Sequence, residues 1–227
     1  MSKPATTAAP WSYSKLHSFE TCSKQFHHVK VLAQYPERET DAMRYGTELH
    51  KAAELYVRDN VPLPVEFTFM RRTLDALKRR GDMRLCEYRM GLTAELEPCG
   101  FFSNNVWWRG VVDLLILDSD KGYARVVDYK SGNDKYADKG QLELMALAVF
   151  KHFPVVTTID AALLFAVKNR FIKDRYTLND VPKLWKKWIG KFGQMDSAYD
   201  NDVWNPVPSG LCHRHCPVLE CSHNGRN

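Results

Sequence analysis

The stretch RGVVDLLILDSDKGYARVVDYKSG, residues 109–132, constrains this chain more than any other. Two runs rich in Val, Leu and Ile flank Ser119-Asp120-Lys121-Gly122, a tight turn, so the segment reads as two antiparallel strands joined as a hairpin. Counting outward from a Ser119–Gly122 pair sets Asp113 directly opposite Asp128. Because alternate side chains share a face, Lys130 points the same way as both aspartates. A bulge at Gly122 would shift the register by one and make the approach diagonal. Each aspartate interrupts an apolar run, where a core-facing Asp is costly unless it holds a cation or pairs with one. A surface salt-bridge cluster is the competing reading; the apolar setting favours a divalent-metal site.

The pattern around the hairpin describes one folded domain. The first ten residues are small, polar or Pro and read as a flexible leader, followed by a single domain over 11–227. One or two short helices carrying Cys22 are expected between Ser14 and Val31. A stronger helix runs from Thr40 to Asp59, capped by Thr40 or Asp41, with His50 beside its apolar stripe and one turn from Gly46. Another helix is expected over Phe67–Arg80, ending before Gly81. Residues 84–97, 101–108, 109–118 and 123–130 then read as an antiparallel meander. A helix over 138–153, a strand over 159–168, a returning strand FIKDRYTL and a basic helix over 181–194 complete the pattern. The fold class is α/β (α+β), a central mixed sheet flanked by helices.

The order of these residues resembles the PD-(D/E)xK nuclease superfamily, and within it the RecB-like exonuclease branch. GTELHKAAE is similar to that branch's histidine motif and points to His50. GVVDLLIL supplies Asp113, VVDYKSG supplies Asp128 and Lys130, and QLELMALA resembles the glutamine motif, giving Gln141. YSKLHSFETCSKQFHH is similar to the branch's opening segment, so the resemblance covers roughly residues 11–221. Met145 stands where relatives often carry Tyr, a departure that bears on the tyrosine's contribution and not on the metal site.

The resemblance implies a restriction-endonuclease-like core and metal-dependent hydrolysis of phosphodiester bonds. Asp113, Asp128 and the backbone carbonyl of Tyr129 would hold Mg2+ or Mn2+, hard cations suited to oxygen ligands, and the imidazole of His50 tilts the preference toward Mn2+. Lys130 would orient or deprotonate the attacking water. Glu87 reads equally well as an outer ligand or as a surface residue. Without their motifs, His50 would be a helix histidine satisfied by a neighbour and Gln141 an exposed residue near a helix start.

Cys212, Cys216 and Cys221 crowd the tail 205–227, whereas Cys22, Cys86 and Cys99 are spread out. A metal centre follows from that density. The resemblance extends to AddB-type subunits and CRISPR-associated exonucleases that hold a 4Fe-4S cluster by one N-terminal cysteine and three C-terminal ones spaced C-x2-C-x5-C. Here the outer pair keeps that separation, the middle cysteine is displaced by one, and Cys22 stands where the distant ligand is expected. Structural Zn2+, with His213, His215 or His223 available as donors, is the alternative. Cys86 and Cys99 read as small buried hydrophobes. A centre joining Cys22 to the tail would act as a structural clasp.

Composition excludes little beyond this. Hydrophobic residues at 44% and charged residues at 26% are ordinary for a globular chain, and a net charge of +5 permits a polyanionic partner without demanding one. The absence of an apolar run of membrane-spanning length or of a signal-peptide core leads to the expectation of a cytoplasmic protein without a membrane partner. Trp185, Trp188 and Phe192 read as core anchors, while Lys183, Lys186, Lys187 and Lys191 would meet phosphates. The expected activity is that of a deoxyribonuclease, an exonuclease acting on ends or single strands of DNA in repair or recombination, of bacterial or phage origin. A non-catalytic DNA-binding scaffold and a ribonuclease are the alternatives. No G-x4-G-K-[ST] motif is present, so a helicase motor would come from a partner.

Overall fold

A computed structural model describes residues 10–36 and 39–226; the flexible leader expected over the first residues lies almost wholly outside them. The chain divides into two compact units, one of Thr40–Trp185 and the other of Trp11–Glu39 with Lys186–Asn227.

The first unit is built on a six-stranded sheet. Its strands are β1 (Met83–Leu92), β2 (Pro98–Cys99), β3 (Trp108–Asp118), β4 (Tyr123–Lys130), β5 (Thr158–Phe165) and β6 (Arg170–Thr177), in spatial order β2-β1-β3-β4-β5-β6. All neighbours are antiparallel except β4 and β5, whose parallel pairing requires the crossover helix α5 (Gly140–His152). The mixed sheet expected from the sequence is therefore the one observed. β3, β4 and β5 are buried along most of their length, as central strands covered on both faces must be.

Two helical layers make that burial possible. α3 (Asp41–Asp59) starts at Thr40, whose side chain accepts the N–H of Met43, and ends at Asn60 in a left-handed conformation. Its Leu49, Ala52, Ala53 and Val57 pack with Phe67, Met70 and Leu74 onto Leu114, Ile116, Val127 and Tyr129 of the sheet. The helix expected over Phe67–Arg80 is a 3-10 run, Val65–Met70, that passes into α4 (Arg71–Lys78). α5 is apolar nearly all round, and Leu142, Leu144, Met145, Ala146, Leu147, Ala148, Val149 and Phe150 are all buried.

Several boundaries differ from expectation, among them the strand expected over 159–168, which ends at Phe165 where the chain turns. β1 stops at Leu92 because the Thr93 hydroxyl takes the N–H groups of Glu95 and Glu97 and turns the chain. Residues 101–107 form consecutive turns instead of a strand: Ser103 N–H bonds to Gly100 O and Val106 N–H to Ser103 O, so Gly, Ser and Asn override the β preference of the aromatics. The last helix, α6, continues past Gln194 to cover Val181–Asn201.

The second unit gathers both ends of the chain. α1 (Tyr13–Thr21) and α2 (Ser23–Phe26) lead into a π-helical turn, His27–Val31. Trp11 stacks on Phe192 at 6.2 Å, and Phe26 packs against Tyr199 and Trp204. Trp188 and Phe192 are buried, as expected of core anchors, and so is Trp185 in the first unit. Lys191 is paired with Glu20, and it and Lys187 lie over the Trp188 ring.

The β3–β4 turn tests how tightly the hairpin is specified. Gly122 has φ +58°, and a Cβ there would approach Val155 O at 2.9 Å. Gly122→Ala is expected to destabilise the protein by about 1–2 kcal/mol, seen as a lower midpoint of urea unfolding at unchanged slope.

Candidate active site

The hairpin register is the one counted from the turn: Leu114 pairs with Val127 and Asp118 with Tyr123, without a bulge. Asp113 and Asp128 thus continue the ladder as opposite neighbours, and both are buried. Asp113 Oδ2 accepts the backbone N–H of Tyr129 at 2.6 Å and lies 3.4 Å from His50 Nδ1. His50 comes from α3, one turn beyond Gly46, where a Cβ would stand 3.1 Å from Ser131 Oγ, so glycine lets the helix approach the end of β4. The His50 ring also meets the Tyr129 ring edge-on at 5.8 Å.

Glu87 completes a set of donors. The β1–β3 register places it opposite Asp113, and the ligand atoms of His50, Glu87 and Asp113 all lie within 4.8 Å of one another. Its backbone has φ +49°, a left-handed conformation that costs a non-glycine residue in a strand about 1–3 kcal/mol. His50 and Glu87, together with Arg89 and Ser131, line an open cleft of ≈ 800 Å3.

Asp128, Lys130 and Gln141 form a second group beside the first. Gln141 Nε2 donates to Asp128 Oδ1 at 2.7 Å, Lys130 Nζ donates to Gln141 Oε1 at 2.8 Å, and Nζ stands 2.7 Å from Asp128 Oδ2 without the alignment of a hydrogen bond. Gln141, in the first turn of α5, therefore bridges the acid and the amine. Met145, one turn on, is buried in the core.

Sequence reasoning named His50, Asp113, Asp128, Lys130 and Gln141, and the structure brings all five into one neighbourhood. Glu87 was left open because its position depends on the pairing of β1 with β3, a long-range register that no turn specifies. Arg89 was missed; its only signal was the even spacing from Glu87 along β1.

The electrostatics are those of crowded acids. Burial opposes a charge on His50, but its hydrogen bond to Asp113 and the neighbouring carboxylates prevail and raise its pKa. Burial, then repulsion from Asp113, raises Glu87. The same two causes push Asp128 up to about 6 in spite of Lys130. Two carboxylates and an imidazole gathered at this spacing have the donor chemistry to take a divalent cation.

The cysteines form a separate constellation in the second unit. Cys22, Cys212, Cys216 and Cys221 are all unbridged thiols and line one small cleft together with His223. Cys22 caps α2, its sulfur facing the N–H groups of Gln25 at 3.5 Å and Val207 at 3.4 Å, and Cys212 receives that of Ser209 at 3.4 Å. Burial raises the Cys216 thiol, with the other three cysteines adding to the effect and the Val218 N–H opposing it. Asn224 Nδ2 fixes the tail by donating to Cys216 O and Val218 O. Cys86 and Cys99 are half-buried, and burial raises both thiols.

The sequence model of the PD-(D/E)XK nuclease superfamily matches residues 10–221. The chain belongs to that superfamily. Among solved structures, the "Putative exonuclease" from Eubacterium rectale superposes with a TM-score of 0.53 at 14% identity, over 97% of this chain and 96% of that one, a likeness of fold. SSO0001 aligns at a TM-score of 0.44 and 10% identity over 98% of this chain and 90% of its own. No curated protein matches. For a PD-(D/E)XK nuclease, the mixed sheet with its hairpin acids and flanking helices is the expected core.

Because His50, Glu87 and Asp128 all bind protons more tightly than usual, a cation must displace those protons. Raised pKa values mean that competition persists to higher pH, so affinity weakens as pH falls through them. Calorimetry should find Mn2+ bound more than about tenfold more weakly at pH 5.5 than at pH 7.5, with proton release on binding.

Proposed function

We propose that this PD-(D/E)XK protein is a Mg2+- or Mn2+-dependent exonuclease of the RecB-like type, hydrolysing DNA from ends or single strands. The observation that carries the reading is the meeting of His50, Glu87 and Asp113 with the Asp128–Lys130–Gln141 group at the end of β4. Nothing in the packing of the sheet calls for so many charged side chains at one point.

The residues fit a cation: carboxylate oxygens and one imidazole converge on a solvent-open cleft. His50, Asp113, Asp128 and the Tyr129 carbonyl are the proposed ligands, with Glu87 added to them. When bound, the metal supplies charge stabilisation at the scissile phosphate and an acidified water. Lys130 contributes an ammonium with three donors, one engaged by Gln141, and its ion pair with Asp128 holds it beside the acids with N–H groups left for the attacking water or a phosphate oxygen. Gln141 holds that amine in register, so that the donor does not have to be ordered anew at each turnover.

The four thiols also fit a centre of their own. The sulfurs of Cys22 and Cys212 face backbone N–H donors, which offset negative charge on thiolates, and four cysteines are the complement of a 4Fe-4S cluster. We assign that cluster to Cys22, Cys212, Cys216 and Cys221 as a structural clasp, within a single nuclease domain over 11–227. His223 in the same cleft keeps Zn2+ as the alternative.

End-labelled linear and circular DNA incubated with Mg2+, Mn2+ or EDTA tests the reading. Linear DNA should be degraded and circular duplex spared, only with metal, and Lys130→Ala should lower the rate by roughly two to four orders of magnitude at unchanged melting temperature. Full activity in that variant or in EDTA would sink the mechanism; degradation of RNA alone would reassign the substrate.

Protein purified without oxygen should be brown and contain iron, whereas a colourless protein with one zinc selects the alternative. Cys22→Ser should lose the metal and melt at lower temperature. Retention of both metal and stability would remove Cys22 from the ligand set.

A further inference from the structure

The turns between β2 and β3 hold two phenylalanines at the edge of the cleft. Phe101 and Phe102 have ring centroids 5.0 Å apart and nearly perpendicular planes, and Phe102 is 74% exposed. Two guanidinium groups lie against them. Arg89 stands 5.6 Å from the Phe101 ring and 5.7 Å from that of Phe102, and Arg109 stands 5.1 Å from Phe101. Among the described residues, no carboxylate forms a salt bridge with either arginine.

This cluster continues the acidic group along one sheet face. The β1–β3 register sets Glu87 opposite Asp113, Arg89 opposite Val111 and Arg109 opposite Gly91. Side chains two apart share a face, so Arg89 follows Glu87 at about 7 Å and Arg109 follows Asp113 at about 14 Å. Arg89 also lines the cleft that holds His50 and Glu87. Gly91 allows the contact, since a Cβ there would meet Gly100 O at 2.9 Å and push the turns away.

An exposed ring, Phe102, resting on half-buried Phe101 and backed by arginines without a salt bridge, suits one kind of ligand. Arginine attracts phosphate, and an aromatic face accepts any base, but only a base that is not already stacked and paired inside a duplex. A protein surface would supply carboxylates to the arginines without needing the flat faces of the rings.

We propose that Phe101, Phe102, Arg89 and Arg109 form a stacking site for an unpaired nucleotide of the strand whose phosphate enters the His50–Glu87–Asp113 cleft. The enzyme would thereby select single-stranded ends. This proposal rests on the nuclease reading for the identity of the cleft, yet its binding step is testable without cleavage.

The test measures binding of single-stranded oligonucleotides by the full chain without Mg2+ or Mn2+, with 2-aminopurine placed at one position at a time. Phe102→Ala should weaken binding about 5- to 150-fold. One 2-aminopurine position near the end should be quenched by the unsubstituted protein and not by Phe102→Ala, and an abasic nucleotide there should erase the difference between the two. Arg109→Ala should weaken binding and reduce its salt dependence. Equal affinity of the unsubstituted and Phe102→Ala proteins at equal melting temperature would overturn the proposal, as would the absence of any quenched position. A dimer that dissociates on Phe102→Ala would also overturn it, by assigning the rings to self-association. Failure of the nuclease reading shows itself separately, as absence of hydrolysis by the unsubstituted protein with metal.

Discussion

Asp113 accepts a hydrogen bond from the backbone of Tyr129 while facing the imidazole of His50, so one side chain of β3 fixes the end of β4 and the near turn of α3 together. Everything else in the cleft is measured from that carboxylate. Burial, and then repulsion from it, raises the pKa of Glu87 and Asp128, and the opposing strand places Asp128 where Gln141 and Lys130 reach it. A buried acid is costly alone; here its N–H partner lowers that cost, and a cation is the natural counter-charge for what remains.

What the sequence revealed follows the range of each interaction. The hairpin was legible because a four-residue turn with a left-handed glycine sets a register that carries the aspartates with it. α3 was legible because its cap, stripe and end all lie within its own residues. Glu87 was not, since its partner lies across a pairing of strands separated by a hairpin loop, and nothing local in MRLCEYRM announces a glutamate with φ +49°. The aromatic run over 101–108 misled for a related reason: bulky rings read as strand, while Gly100, Ser103, Asn104 and Asn105 set the backbone. Such disagreements between side-chain preference and backbone fall most often where side chains are kept for a use other than packing.

The two constellations lie in different units. The acidic cleft lies in the unit of Thr40–Trp185, whose sheet is stabilised by apolar layers on both faces. The four thiols lie in the unit made from both chain ends, where an aromatic nest of Trp11, Phe26, Phe192, Tyr199 and Trp204 supplies the core. A small unit built from distant segments pays a large entropy of loop closure, and cross-linking its ends by metal is an effective remedy.

That shared unit also spreads its parts across the whole time of synthesis. The first unit's residues have all been translated when Trp185 has been added, whereas Cys212, Cys216 and Cys221 follow Cys22 by about 190 residues, or roughly 10–40 s of ribosomal elongation. Through that interval the helix that Cys22 caps lacks its contacts to the C-terminal segment, such as the Val207 N–H that faces the Cys22 sulfur. The unit of Trp11–Glu39 with Lys186–Asn227 therefore cannot be completed until residues far apart in synthesis are both present.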